Sequence, residues 1–210
     1  MKNIAQILNL FLSLALLILV VKMPRVTNEV EIATSEVATD TYEVIKTRSS
    51  VRSYQDRAVS VAAVDSLLHA AMAAPTAGNK QPWAFVVIRD TVTLKLLGEK
   101  LPYARMVAHA PVAIVACGDL SKGFFGIESE YWVQDVAAAT QNILLAAHAA
   151  GLGAVWTGVY PVESRVKDVS ELLGLPNHIV PLNVIPVGYP DSQSVPKEKF
   201  KEENIHHEKW

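Results

Sequence analysis

The chain has 210 residues, with 19 Lys and Arg against 21 Asp and Glu and a formal net charge of −2. That balance excludes a nucleic-acid protein whose affinity comes from a broad excess of cations. A 50% hydrophobic, 19% charged composition excludes a disordered chain, and the single cysteine, Cys117, excludes an internal disulfide framework and a cysteine-based zinc site.

Ile4 to Val21 carries no charge and is mostly Leu, Ile, Val and Ala. At about 1.5 Å per residue it comes close to spanning the roughly 30 Å hydrocarbon core of a bilayer. Met1-Lys2-Asn3 forms a short basic region before it, and Lys22-Met23-Pro24-Arg25 follows with no small-x-small cleavage pattern and no adjacent cysteine. The segment reads first as an uncleaved signal-anchor that attaches the protein to a membrane. A cleaved signal peptide with an exported domain and a buried core helix are the alternatives. Lys2 and the α-amino group on one flank balance Lys22 and Arg25 on the other, so the side of the membrane stays open. Thr27 to Asp40 is rich in Thr, Ser, Glu and Val without a helical stripe and reads as a tether. The division expected is residues 1–21 as anchor or signal, 22–40 as tether and 41–210 as one folded domain, long enough for a sizeable core.

Within that domain, Thr41 to Lys46 predicts a short helix leading into Arg48-Ser49-Ser50-Val51-Arg52. Ser60 caps a helix with Val61, Val64, Leu67, Leu68 and Ala71 on one face. Pro75-Thr76-Ala77-Gly78-Asn79 ends it, Trp83 to Ile88 predicts a strand and Thr91 to Lys100 a helix. Pro111 to Cys117 is a continuous apolar run, the pattern of a strand buried on both faces. Tyr131 to Ala150 is the longest helix, Ala-rich and apolar on most faces, and belongs in a core or between subunits. Ala154 to Thr157 predicts a strand, Glu163 to Leu173 a helix and Val180 to Gly188 a strand. Helices separating the strands favour a mixed sheet flanked by helices, an α+β domain.

The chain has no G-x-S-x-G elbow and no H-E-x-x-H, and its six histidines do not fall at metal-ligand spacing on one helix face, so no metal site is expected. Gly151-Leu152-Gly153 follows a predicted helix and precedes a strand, the reverse of a dinucleotide-binding turn. Cys117 inside an apolar strand reads as inert core. Three other segments carry chemistry. Arg48 to Arg52 packs two guanidinium groups and two hydroxyls into five residues, which converge on one anion if the segment is helical or turn-like, or else form a basic helix end. Pro75 to Trp83 offers amides and a hydroxyl between two prolines, for a planar heterocycle or as a plain connecting loop. Gly151 to Pro161 ends a strand beside a glycine, where a backbone N–H meets a ligand without interference from a Cβ. Lys197, Lys199 and Lys201 form a basic run whose default is a solvated tail.

Taken in order, these segments resemble the nitroreductase family of flavin-dependent oxidoreductases, a group that includes iodotyrosine deiodinase. The resemblance covers Tyr42 to Trp210. It rests on R-S-S-V-R-S-Y at Arg48 to Tyr54, A-P-T-A-G-N-K-Q-P-W at Ala74 to Trp83, and A-P-V-A-I-V at Ala110 to Val115. It continues through D-V-A-A-A-T-Q-N-I-L-L-A-A at Asp135 to Ala147, G-L-G-A-V-W-T-G-V-Y-P at Gly151 to Pro161, V-G-Y-P at Val187 to Pro190 and E-N-I-H-H-E-K-W at Glu203 to Trp210.

The resemblance implies an α+β, nitroreductase-like fold that binds FMN non-covalently at the interface of a homodimer, with NAD(P)H as hydride donor. It implies that Arg48, Ser49, Ser50 and Arg52 form the first flavin segment, with Arg48 toward the phosphate and Arg52 toward the N1/C2=O edge of the ring. Pro75, Thr76, Ala77, Asn79 and Gln81 match the loop that reaches the flavin, in part from the other subunit. Trp156, Thr157 and Gly158 match the strand end that faces N5. Lys199, with Lys197 and Lys201 as the alternatives, stands where the family usually has an Arg for the phosphate, which loses bidentate geometry. The implied activity is hydride transfer in a ping-pong cycle to nitroaromatics, quinones or similar electron-poor small molecules, with no side chain as nucleophile. A dehalogenase-type reaction and a membrane-tethered flavin-binding module with little turnover are the alternatives. Substrate choice is expected to depend on the loops Leu101 to Val107 and Phe124 to Tyr131.

Overall fold

The computed structural model describes residues 41–126, 129–192 and 195–210. The apolar segment Ile4 to Val21, the flanking basic residues and the tether to Asp40 lie outside the described residues. Among the described residues no helix is long and apolar enough to cross a membrane.

The domain opens with α1 (Thr41–Thr47) and α2 (Val61–Met72), followed by a 3-10 turn at Ala77–Asn79 and strand β1 (Trp83–Ile88). Then come α3 (Thr91–Lys100), a 3-10 helix at Arg105–His109, β2 (Val112–Asp119) and the long helix α4 (Tyr131–Ala149). Two short strands, β3 (Gly153–Ala154) and β4 (Thr157–Gly158), precede α5 (Glu163–Leu173) and β5 (Ile179–Gly188). The helix starts follow from local chemistry. Ser60 accepts from the Ala63 N–H at 3.1 Å at the start of α2, and Asp90 accepts from the Thr93 N–H at 2.8 Å at the start of α3. α5 stops at Gly174, whose φ of 62° is the left-handed conformation that ends helices.

The strands run β1-β2-β5-β3, with β4 pairing β5 as well. Every described pairing is antiparallel, which corrects the expectation of a mixed sheet. The reason lies in the connections. Between β1 and β2 the chain goes out along α3 and folds back through the 3-10 helix, so it re-enters the sheet at the end it left, with Ile88 opposite Ala113. A single crossover helix would instead have delivered it to the opposite end, giving a parallel pair. β2 is nonetheless buried along its whole length, as its continuous apolar run predicts.

Burial on both faces comes from helices on both faces. On one side Val112, Ile114 and Ala116 pack with Val64, Leu67 and Ala71 of α2 and Trp132, Val136, Ala139 and Ile143 of α4. On the other, Ala113, Val115 and Cys117 pack with Leu94 and Leu97 of α3 and Val169 of α5. The long helix is thus the centre of one core layer. Burial raises the Cys117 thiol to about 12, in keeping with an inert core residue.

The strand expected at Ala154 to Thr157 is instead two pieces interrupted at Val155-Trp156. Ala154 pairs with Val187 and Thr157 with Val184, so Pro186, which has no N–H to give, sits opposite the gap. The interruption leaves Trp156 37% exposed between buried Val155 and Thr157.

Candidate functional site

The segment Arg48 to Arg52 is neither helical nor a turn. It runs extended beside β3, with the Val51 N–H donating to the Ala154 carbonyl at 3.0 Å. A Cβ on Gly153 would lie 2.6 Å from Val51 Cγ1, so the glycine is what lets the two backbones come this close. Tyr54 clamps the far end. Its hydroxyl lies 2.7 Å from the Val51 carbonyl and 3.2 Å from the Pro186 carbonyl, and burial pushes the phenol well above its ordinary range.

The segment therefore does not supply the helix or turn on which two guanidinium groups were expected to meet, and each arginine lines a different hollow. Arg52 joins Val155, Trp156, Thr157 and Gly158 around a cavity of about 170 Å³, closed by Leu101, Pro102, Tyr103, Ala104, Met106 and Arg165. Arg48 joins Lys46, Thr47, Lys197, Lys199 and Phe200 in a cleft of about 510 Å³. Lys201 is turned to Glu203 at 3.6 Å, which leaves Lys197 and Lys199 as the tail lysines beside Arg48. One half-buried segment therefore carries a cation toward a small aromatic-walled cavity at one end and a cation toward a basic cleft at the other. That arrangement suits a molecule with a flat ring and an anionic tail.

The cleft end is electrostatically organised. The Thr47 hydroxyl donates to the Glu43 carbonyl, so it accepts from His148 Nε2 at 2.9 Å. Burial first, and then the Arg48 guanidinium, hold His148 below its ordinary 6.5. The neutral ring adds no charge beside Arg48 at neutral pH. Glu198 is the acid that lines the cleft, and the backbone N–H groups of Phe200 and Lys199 hold its carboxyl below the usual range.

At the cavity end, Gly158 decides what fits. A Cβ built there would meet nothing within 4 Å, so the protomer's own packing does not require glycine at this exposed position. The space where a side chain would project is open, on a strand end beside Arg52, which has no ion-pair partner among the described residues. The Gly158 carbonyl is held by Arg165 Nη1 at 3.3 Å.

The loop Pro75 to Gln81 is not brought to either hollow within the protomer. The buried Asp135 carboxylate accepts from the Ala77 N–H at 2.8 Å, and the Thr76 hydroxyl accepts from the Gln81 N–H at 3.1 Å. Gly78 packs under Phe124, whose ring would lie 2.8 Å from a Cβ, and Asn79 and Gln81 both have positive φ, 53° and 50°. Two non-glycine residues in that region cost on the order of 1–3 kcal/mol each, so the loop is held in one exposed shape by its contacts. Ser49 and Ser50 lie on the same extended segment as the two arginines and line neither hollow.

Sequence reasoning missed three contributors. Arg165 stands in the first turn of α5, where a lone cation is an unusual choice beside the positive end of the helix dipole. Tyr54 and Asp135 position the extended segment and the loop without facing a hollow, and only the fold reveals what they hold.

The nitroreductase family model matches residues 45–101 and 92–189. A protein of Methanothermobacter thermautotrophicus named "Putative NADH dehydrogenase/NAD(P)H nitroreductase" is 48% identical over 173 residues, covering 81% of this chain and 88% of the relative. The crystal structure of a protein of the same name from Parabacteroides distasonis superposes with a TM-score of 0.77 at 48% identity, over 81% of this chain and 98% of that one. A "putative nitroreductase in complex with fmn" from Desulfovibrio desulfuricans superposes with a TM-score of 0.69 at 31% identity, over 81% of this chain and 97% of that one.

Proposed function

The chain belongs to the nitroreductase family, and from that premise we propose that it is an FMN-dependent oxidoreductase that takes hydride from NAD(P)H and passes it to electron-poor small molecules such as nitroaromatics or quinones. The names of its relatives support both the donor and the cofactor. The observation that carries the proposal is the pairing of Arg52 with the open face of Gly158 across one small cavity. When bound, FMN supplies the hydride-accepting and hydride-donating chemistry.

The protein's part is to hold and to tune. Arg48, with Lys199 and Lys197 beside it, binds the dianionic phosphate, each charge-assisted hydrogen bond contributing about 1.5–3 kcal/mol before solvent screening. Arg52 sets a positive charge against the ring edge, which favours the electron-rich form and so speeds hydride acceptance. Gly158 lets the Trp156–Gly158 backbone come close to the ring. Trp156 and Tyr103 wall the remaining space against water. A 170 Å³ cavity falls below the roughly 300–1,000 Å³ typical of complete ligand sites, which supports a site completed by groups from elsewhere; donor and acceptor then take turns at the same ring face.

That completion is by a second copy of the chain. In support, the loop Thr76 to Gln81 is fixed by its own contacts yet lines neither hollow of its protomer, which leaves it to a neighbour's site. The tail exposes Val195, Phe200 and Trp210, apolar groups that a partner would cover. If Ile4 to Val21 stays as an anchor, a nicotinamide-fed enzyme would face the side of the membrane where NAD(P)H is found. The test is spectroscopic. Purified protein, or protein incubated with FMN, is yellow, bleaches under NADPH without oxygen and recovers on adding a nitroaromatic. Colourless protein that takes up no FMN contradicts the proposal. A yellow protein that never bleaches leaves a binding module.

A further inference from the structure

Arg165 has no task in the chemistry above, yet it lines the same cavity as Arg52. Its obvious ion-pair partner would be Asp168, three residues on along α5. Asp168 Oδ1 instead takes Lys100 Nζ at 3.2 Å. Neither Arg165 nor Arg52 is in an ion pair among the described residues, and no carboxylate lines the cavity. Arg165 is half-buried, lies 5.6 Å from the centre of the Tyr103 ring, and spends one donor on the Gly158 carbonyl. A guanidinium has five donors, so most remain available to a ligand.

We propose that Arg165 determines acceptor specificity, selecting an electron-poor aromatic that carries an anionic substituent such as a carboxylate or sulfonate. The proposal rests on flavin chemistry at this site, with Arg52 engaged by the ring edge and Gly158 beneath it. Arg165, bonded to the Gly158 carbonyl, then stands beside the strand end that would face the ring. Leu101, Met106, Tyr103 and Trp156 provide apolar and aromatic walls for a flat molecule. The alternative anion, the 2′-phosphate of NADPH, is at the far end of a dinucleotide and is carried well away from a cavity that holds the nicotinamide.

The test uses 4-nitrobenzoate and its neutral methyl ester with the FMN-loaded full chain. Flavin content and bleaching by NADPH are scored first. Wild type is expected to prefer the acid in kcat/KM, and the preference is expected to fall severalfold between low and high salt, as Coulombic recognition requires. Arg165→Gln should lower the acid-to-ester ratio about tenfold or more, the size of one charge-assisted hydrogen bond, and Arg165→Lys should keep part of it. Calorimetric titration of 4-nitrobenzoate into oxidised protein without donor should show the same loss in Kd, independent of turnover. An unchanged ratio and Kd in a variant that still bleaches overturns the proposal alone, as does a wild-type ratio indifferent to salt. A change confined to NADPH against NADH moves Arg165 to the donor and also overturns it. Failure to take up FMN fails the flavin chemistry itself, and the proposal with it.

Discussion

Two glycines only five residues apart make opposite predictions, and together they separate folding from cofactor binding. At Gly153 an alanine Cβ would lie 2.6 Å from Val51 Cγ1 and 2.7 Å from Val51 Cβ. Rotating the valine cannot relieve the second contact, so the Arg48 to Arg52 segment must move away from β3. Overpacking of this kind costs about 1–3 kcal/mol, and the 3.0 Å Val51–Ala154 hydrogen bond lengthens with it. Gly153→Ala should therefore lower the melting temperature by several degrees in the absence of FMN, at about 2–4 °C per kcal/mol for a chain of this size. At Gly158 the same methyl meets nothing within 4 Å, and the residue is not in the left-handed region. Gly158→Ala should leave apoprotein stability within about 1 kcal/mol, if anything raised by reduced backbone entropy. Its methyl should nevertheless occupy the face against which the flavin lies and raise the FMN Kd about tenfold or more, from the same range of overpacking costs. Thermal denaturation without cofactor and fluorescence-quenching titration with FMN measure the two effects. If Gly158→Ala binds FMN as tightly as wild type, the open face of Gly158 does not hold the ring. If it destabilises the apoprotein as much as Gly153→Ala, glycine is needed there by the fold and says nothing about a ligand.

Three further outcomes follow from the geometry. Arg48→Ala should weaken FMN retention, about tenfold if it loses one charge-assisted hydrogen bond to the phosphate, whereas Arg52→Ala should retain flavin and slow its reduction by NADPH in stopped flow. Wild-type content and rates in both variants would remove both assignments. Tyr54→Phe deletes the hydroxyl that spans Val51 and Pro186 and should cost about 1 kcal/mol, read as a lower urea midpoint accompanied by weaker FMN binding, because the loosened segment carries both arginines. His148 binds its proton less tightly in the folded chain than its ordinary 6.5. As pH falls below that value the unfolded state takes up the proton first, so stability drops on the acid side and is fully present above it. Urea midpoints between pH 7.5 and 5.5 should fall less in His148→Gln than in wild type. Equal slopes would show that His148 does not contribute.

Much of the domain could be read in advance because its signals are local. Ser60 and Asp90 are side chains that cap the helices they precede, and Val64, Leu67 and Ala71 recur at the spacing that buries one helix face. The Pro111 to Cys117 run disclosed a strand covered on both sides, but not its direction. Coverage depends on the helices, while direction depends on whether the connection makes one leg or two. The break at Val155-Trp156 depended on Pro186, thirty residues away on the opposite strand, and could not be foreseen from the β3–β4 segment itself. The same division holds for the site. Arg48, Arg52 and Trp156 to Gly158 were recognisable as motifs, and the fold brings Arg52 and Trp156 to Gly158 to a common cavity. Arg165 belongs to no motif, and its role depends on Asp168 being engaged by a lysine from another helix. The Thr76 to Gln81 loop was legible as chemistry, yet within the protomer it lines neither hollow.

The most direct test of the account is a crystal structure of the protein grown with FMN. The account predicts a homodimer with the ring against Gly158, its N1/C2=O edge toward Arg52, the phosphate beside Arg48 and Lys199, and the partner's Thr76 to Gln81 loop closing the site. Flavin density elsewhere on the surface, or a ring bound within one protomer away from Arg52 and Gly158, would contradict it.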